Sequence, residues 1–353
     1  MKRRMRLRQV AAALAVLTGA GALTACGSDS GTDGSGGSGG SEIKLGYFPN
    51  ITHATALVGI QKGFFTKQLG SGVKLTTATF NAGPSATEAL FSGAIDATYI
   101  GPSPAINAWA KSHGKAIKII SGAASGGASL VVNPSIKSVE DLRGKTIATP
   151  QLGNTQDVAL RYYLKQKGLR TDKNGGGDVK VRPQDNAVTL QSFAQGAIDG
   201  AWVPEPHASR LVLENKGKRL LNENDLWPGR KFVVTHLIVR TEFLKSHPDL
   251  VKKLVAGSVE ANAFINSDPA GAKKSANAQL AELSGKPLKD DVLESSFKEI
   301  AFTDDPIASS LHEGAKHAQE IGLLEPVDLA GIYDLGPLNE VLKTEGKSPV
   351  SDS

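Results

Sequence analysis

One cysteine, Cys26, stands in the 353 residues, so no disulfide can close within a single chain and a disulfide-stapled fold is excluded. A membrane-spanning run is missing as well, because the apolar stretch from Val10 to Ala25 is shorter than the roughly 20 residues such a helix needs. Net charge is absent outside the first few residues. Lys2, Arg3, Arg4, Arg6 and Arg8 carry the whole formal excess of +5, and taking these five from the 40 basic residues leaves 35 against 35 acidic ones. A balanced chain has no basic field for nucleic acid, so no nucleic-acid partner is expected.

The marks of an enzyme are missing too. His312 and His317 are five apart, which turns them about 140° around a helix and rules out the i, i+4 zinc pair, so a solvated helix face is expected there. Gly144-Lys145-Thr146 resembles the end of a phosphate loop, but Val139 stands where that loop requires glycine. Gly36-Gly37-Ser38-Gly39-Gly40 matches a nucleophile elbow only formally, with no strand before it and no helix after it. No catalytic residue, metal site or cofactor is expected.

What is present begins with the basic cluster and apolar stretch of residues 1–25, which read as a secretory signal peptide. Leu23-Thr24-Ala25-Cys26-Gly27 looks like a bacterial lipoprotein processing box, which makes Cys26 the lipidated first mature residue. The stretch 26–41 is almost entirely Gly, Ser, Asp and Thr and cannot bury a core, so it reads as a flexible tether. The expected location is the outer face of the cytoplasmic membrane, held by the lipid.

The remaining chain is long enough for two α/β lobes, and an echo marks them. Gly93-Ala94-Ile95-Asp96 recurs as Gly196-Ala197-Ile198-Asp199. Each copy follows an amphipathic helix pattern, with Leu190, Phe193, Ala194, Ala197 and Ile198 on one face in the second, and precedes a short aromatic strand. Strands are predicted over 43–47, 73–79, 98–100, 117–120, 128–132, 146–148, 179–181, 201–203 and 232–240. If the chain crosses between lobes at the fifth of these and returns near the last, residues 42–126 and 232–353 form one lobe and 127–231 the other. The fold class is then α/β, two similar lobes with a ligand cleft between them.

In parallel α/β sheets ligands bind beyond the carboxyl ends of the strands, at the starts of the following helices. Ser85-Ala86-Thr87-Glu88 has the form of a capping box, Ser103-Pro104 places a cap before a first-turn proline, and Asn154 and Thr155 are cap candidates before the helix through Val158 and Tyr162. Several helix N-termini converging on one cleft can hold an anion without arginine.

These residues also resemble a known family, the periplasmic solute-binding proteins for aliphatic sulfonates, taurine and nitrate. The resemblance is densest at Gly46-Tyr47-Phe48-Pro49-Asn50 through His53, at Ala82-Gly83-Pro84-Ser85, at Leu142 to Ala148, and at Ile198 to Val203 with Glu205-Pro206. It implies the two-lobed periplasmic-binding-protein fold (type II) and a monomer that delivers a small anionic ligand to an ABC permease driven by a separate ATPase. Pocket-lining positions implied by it are Asn50, His53, Gly83, Ser85, Ser103, Asn154, Thr155, Gln156 and Glu205. Glu205 either accepts from an amino group of the ligand or points to a helix terminus, and Trp202 is pocket wall or core. The expected ligand is an aliphatic sulfonate. Nitrate or bicarbonate suits the same donors, a thiamine-precursor pyrimidine would stack on Tyr47, Phe48 and Trp202, and a structural or sensory lipoprotein is the alternative class.

Overall fold

A computed structural model describes residues 41–352, and the expected signal peptide, Cys26 and the expected tether through Gly40 lie outside the described residues. The described strands are β1 (Ser41–Tyr47), β2 (Val73–Thr79), β3 (Ala97–Ile100), β4 (Ile117–Gly126), β5 (Ala128–Val132), β6 (Thr146–Thr149), β7 (Lys180–Pro183), β8 (Gly200–Pro204), β9 (Lys218–Asn222), β10 (Val233–Arg240) and β11 (Ile300–Phe302). They form two sheets, ordered β2-β1-β3-β10-β4-β11 and β7-β6-β8-β5-β9. β9 and β11 are edge strands that sequence patterning did not predict.

The two sheets repeat one plan. β1 runs parallel to β2 and β3, and β6 runs parallel to β7 and β8. One antiparallel strand is inserted in each, β10 between β3 and β4, and β5 between β8 and β9. Each inserted strand follows directly on the other sheet in sequence, so the chain crosses twice. Gly126 and Gly127 make the first crossing with φ of +80° and +78°. A Cβ on Gly127 would lie 2.4 Å from Ile300 Cγ1, so both backbone sign and space call for glycine there.

Strand alternation builds the cores. In the second sheet Leu130, Val132, Ile147 and Trp202 join one apolar face, while Val131, Ala148, Ala201 and Val203 join the other. Helices cover both faces, as crossover connections between parallel strands require. A larger core surrounds the first sheet, from Ile43 and Leu45 through Leu237 to Val251 and Leu254.

The Gly-Ala-Ile-Asp echo does the same work in both places. Asp96 N–H donates to the Lys44 carbonyl at 2.8 Å while its carboxylate accepts Lys44 N–H at 2.9 Å. Asp199 makes the matching pair with Thr146, both at 2.8 Å. The glycines, Gly93 and Gly196, end their helices in the left-handed region at φ +72° and +69°. The preceding helices span Gly83–Phe91 and Asn186–Ala194, so Ala197 and Ile198 fall beyond the predicted helical face, in the turn that leads to the strand.

Candidate functional site

The carboxyl ends of the parallel strands of both sheets meet at one small polar cavity of about 20 Å³. Phe48 follows β1, Asn81 follows β2 and Gly101 follows β3; from the other sheet come Asn154 after β6, Asn186 after β7 and Pro204 at the end of β8. Val234 enters from β10, whose antiparallel direction puts its start at this edge. No lining residue carries a formal charge.

Helix starts ring the cavity. Asn154 is the extended N-cap residue of the helix Thr155–Gln166, and its carbonyl takes the N–H groups of Asp157 and Val158. The first-turn N–H groups of Thr155 and Gln156 are thereby left to face outward from the helix end. Asn186 opens the helix Asn186–Ala194, and Gly101 is the N-cap of the helix Pro102–Lys111. Two buried polar atoms at the cavity have no partner, Thr155 Oγ1 and Asn186 Oδ1. Their residues are each 8% exposed. Gly101 permits this crowding, since a Cβ there would lie 2.3 Å from Thr155 Oγ1.

His53 is fixed by its neighbours. Phe48 N–H donates to its Nδ1 at 3.2 Å, and the Phe48 ring stacks on the imidazole at 4.3 Å between centroids. An acceptor Nδ1 places the proton on Nε2, so the ring offers an N–H donor. Burial pushes its pKa down to about 3, which keeps it neutral. Asn50 reaches the other half of the molecule, with Oδ1 3.1 Å from His207 Nε2.

Of the positions expected from sequence, Asn50, His53, Asn154, Thr155 and Gln156 come together at this cavity. Four stand elsewhere. Gly83 N–H donates to Asn154 Oδ1 at 3.3 Å, Ser85 Oγ is 3.2 Å from Gln151 Nε2, and Ser103 is buried in the first turn of its helix. The two helices begin earlier than the capping motifs predicted, at Gly83 and Pro102 with Ala82 and Gly101 as N-caps, because Pro84 and Pro102 suit the first helical positions. Ser85 and Ser103 are therefore inside their helices and cap nothing.

Glu205 is the fourth. Its carboxylate is fully buried and accepts Ser209 N–H at 2.9 Å, Arg219 Nη2–H at 2.8 Å and Ser296 Oγ–H at 3.2 Å. Burial raises its pKa, opposed by the Arg219 charge and these hydrogen bonds. The side chain thus serves the start of the helix His207–Leu213 and a link to the helix Asp290–Lys298, the terminus-directed alternative. Tyr47 and Trp202 are core residues, so of the three aromatics expected for stacking only Phe48 lines the cavity. Thr52, Asn81, Gly101, Asn186, Pro204 and Val234 were not predicted as site residues; Asp185-Asn186 ahead of the Leu190 helix face was a readable cap signal, whereas Val234 on the returning strand carried none.

A second compartment of about 280 Å³ adjoins the first and shares Asn50, Asn81 and Asn186 with it. Val188, Leu280 and Leu288 give it apolar surface, and Arg210, Lys286 and Asp185 give it charge. Arg210 is already paired with Glu214 at 2.8 Å.

This architecture is the two-lobed periplasmic-binding-protein fold, with the cavity between the lobes. The chain belongs to the NMT1-like family, whose sequence pattern matches residues 36–281. A taurine-binding periplasmic protein of Escherichia coli is 28% identical over 222 residues, covering 62% of this chain and 67% of that protein. A bicarbonate transport ATP-binding protein of Synechocystis is 26% identical over 247 residues, 64% of this chain and 35% of that protein. Among solved structures, the alkanesulfonate-binding protein of Xanthomonas axonopodis pv. citri bound to MOPS superposes with a TM-score of 0.70 at 21% identity, covering 83% of this chain and 98% of that one. Among the described residues no helix is long and apolar enough to cross a membrane, and no group of three or more His, Cys, Asp or Glu could hold a metal.

Proposed function

We propose that this chain is the extracytoplasmic solute-binding component of an ABC importer and that it captures an aliphatic sulfonate, head group inward and chain outward, without altering it chemically. The observation that carries the reading is the pair of buried, unpartnered polar atoms, Thr155 Oγ1 and Asn186 Oδ1, at an uncharged cavity ringed by helix starts. A sulfonate stays ionised and only accepts hydrogen bonds. The Thr155 hydroxyl, His53 Nε2–H and the first-turn N–H groups of Thr155 and Gln156 supply donors, and a half-turn of the Asn186 amide presents its NH₂. The adjoining compartment, with Val188, Leu280 and Leu288, gives the alkyl chain apolar surface.

Nitrate or bicarbonate is the second reading, favoured by the small inner volume of about 20 Å³ and by the bicarbonate-transport relative. Such ions would leave the outer compartment unused. The lobes are assigned as 42–126 with 232–353, and 127–231, following strand membership in the two sheets. Closure about Gly126-Gly127 and the return near 232 fits that division. Export, lipidation at Cys26, a monomeric state, and delivery to a permease and its ATPase complete the proposal; the ATP-binding relative supports the last of these.

The test is Thr155→Val. Losing one hydrogen bond to a charged ligand weakens binding by about tenfold or more. Since the wild-type hydroxyl has no protein partner, the unliganded variant should unfold at the wild-type temperature or slightly above it. Unchanged affinity for every small anion would remove Thr155 from the site and the reading with it.

A further inference from the structure

A larger cavity, of about 420 Å³, opens on the flank of the molecule and shares no lining residue with the anion cavity. Its walls come from both sheet-bearing halves: Tyr162, Tyr163 and Lys167 from the helix Thr155–Gln166 and its end, Trp227 from the return segment, and Glu313 and His317 from the helix Ala308–Glu320. The expected solvated face around His317 is thereby corrected, since the imidazole stacks on Tyr162 at 3.6 Å between centroids and 13° between planes. Trp227 lies 5.3 Å from the same ring, tilted at 42°.

The aromatic walls are accompanied by acid. Glu223 lines the cavity at 1% exposure, and its carboxylate accepts the Trp202 indole N–H at 2.7 Å. Burial raises its pKa to about 7, and it has no ion pair among the described residues, so a cation seated beside it would hold it ionised, whereas Glu313 is paired with Lys316 at 3.0 Å and lies 3.4 Å from His317. The ring faces already draw positive charge, for Lys167 Nζ sits 5.7 Å from the Tyr163 centroid. Aromatic faces present negative potential to a cation and apolar area to its methyl groups.

We infer that this flank cavity is a second binding site, for a compact organic cation of the quaternary ammonium type, held between the Tyr162, Tyr163 and Trp227 rings with Glu223 as counter-charge. The cation sits against aromatic faces and a buried carboxylate that has no other cationic partner. Because the walls belong to both halves, its occupant bridges them. The assignment is independent of the anion reading.

The experiment is calorimetric titration of the whole protein with choline and, separately, with its uncharged isostere 3,3-dimethylbutan-1-ol. Choline should bind about tenfold or more tightly than the isostere, the difference being the cation's interaction with rings and carboxylate. Glu223→Gln keeps an acceptor for Trp202 and should weaken choline at least several-fold while leaving the unfolding temperature near that of wild type. If that variant fails to fold, Tyr162→Leu replaces it and should weaken choline likewise. Equal binding of choline and isostere, no choline binding at millimolar concentration, or choline affinity unchanged in the folded variant would overturn the assignment.

Discussion

Replacing Arg219 with methionine probes the buried charge that sequence alone left ambiguous. Arg219 Nη2 meets Glu205 at 2.8 Å, with side-chain exposures of 23% and 0%, and its Nη1 pairs with Glu299. Removing one partner of a buried ion pair costs about 3–5 kcal/mol. Ser209 N–H and Ser296 Oγ–H still hold the carboxylate, which argues for the lower end, about 3 kcal/mol. An unfolding entropy of about 2.1 cal/mol/K per residue over roughly 310 residues turns that into a fall of about 5 °C in thermal midpoint. The pH dependence follows from the raised pKa of Glu205. An acid whose folded pKa lies above its unfolded value binds more protons when folded, so its contribution is most favourable at low pH and is lost as pH rises past the unfolded value. Without Arg219 the folded pKa climbs further, so the deficit should be larger at pH 8 than at pH 5. Adding Glu205→Gln should recover much of the loss, because an amide needs no counter-charge. Differential scanning calorimetry at both pH values reads all of this; a shift below 1 °C, or one equal at pH 5 and 8, would refute the reasoning.

The remaining predictions concern the repeated motif and the histidine. Asp96→Ala should cost more than Asp199→Ala in denaturant unfolding, about 2–3 against about 1 kcal/mol, because Asp96 is 9% exposed and paired with Arg240 while Asp199 is 37% exposed with Lys145 at 3.7 Å; the reverse order would contradict the weight given to burial and the Arg240 pair. His53 should show no NMR titration between pH 8 and 5, and sulfonate affinity should be flat over that range, since burial holds its pKa down to about 3. With the folded pKa depressed below the usual 6.5, the unfolded chain binds more protons between those values, so His53's contribution is present above pH 6.5 and shrinks on acidification, by roughly 2 kcal/mol at pH 5. A midpoint near 6.5 would place His53 in solvent.

Strand patterning and the internal echo made much of the fold legible. β2 and β5 fall on the predicted residues, and Asp96 and Asp199 occupy equivalent places in the two sheets. The parallel-strand rule then pointed to the helix starts, and Asn154, Thr155 and Gln156 do ring the cavity. Three kinds of feature stayed hidden. Proline moved two helix starts forward of Ser85 and Ser103, a local competition between an early proline and a hydroxyl cap. Glu205 found Arg219 on the next strand, past an intervening helix, and His317 found Tyr162 a long way back in the sequence; no periodicity encodes such contacts. The edge strand β11 has only three residues, and β9, Lys-Arg-Leu-Leu-Asn, sets two leucines side by side and so shows no alternation.

Calorimetric titration with linear alkanesulfonates from methyl to hexyl, beside nitrate and bicarbonate, tests the central claim most directly. Each methylene buried in the outer compartment should add about 0.8 kcal/mol, close to a fourfold gain in affinity per carbon, until the chain reaches open water. Sulfonates should therefore outbind the inorganic ions by a margin that grows with chain length. Tight binding of nitrate or bicarbonate with no chain-length dependence among the sulfonates would contradict the account and assign the site to the smaller ions.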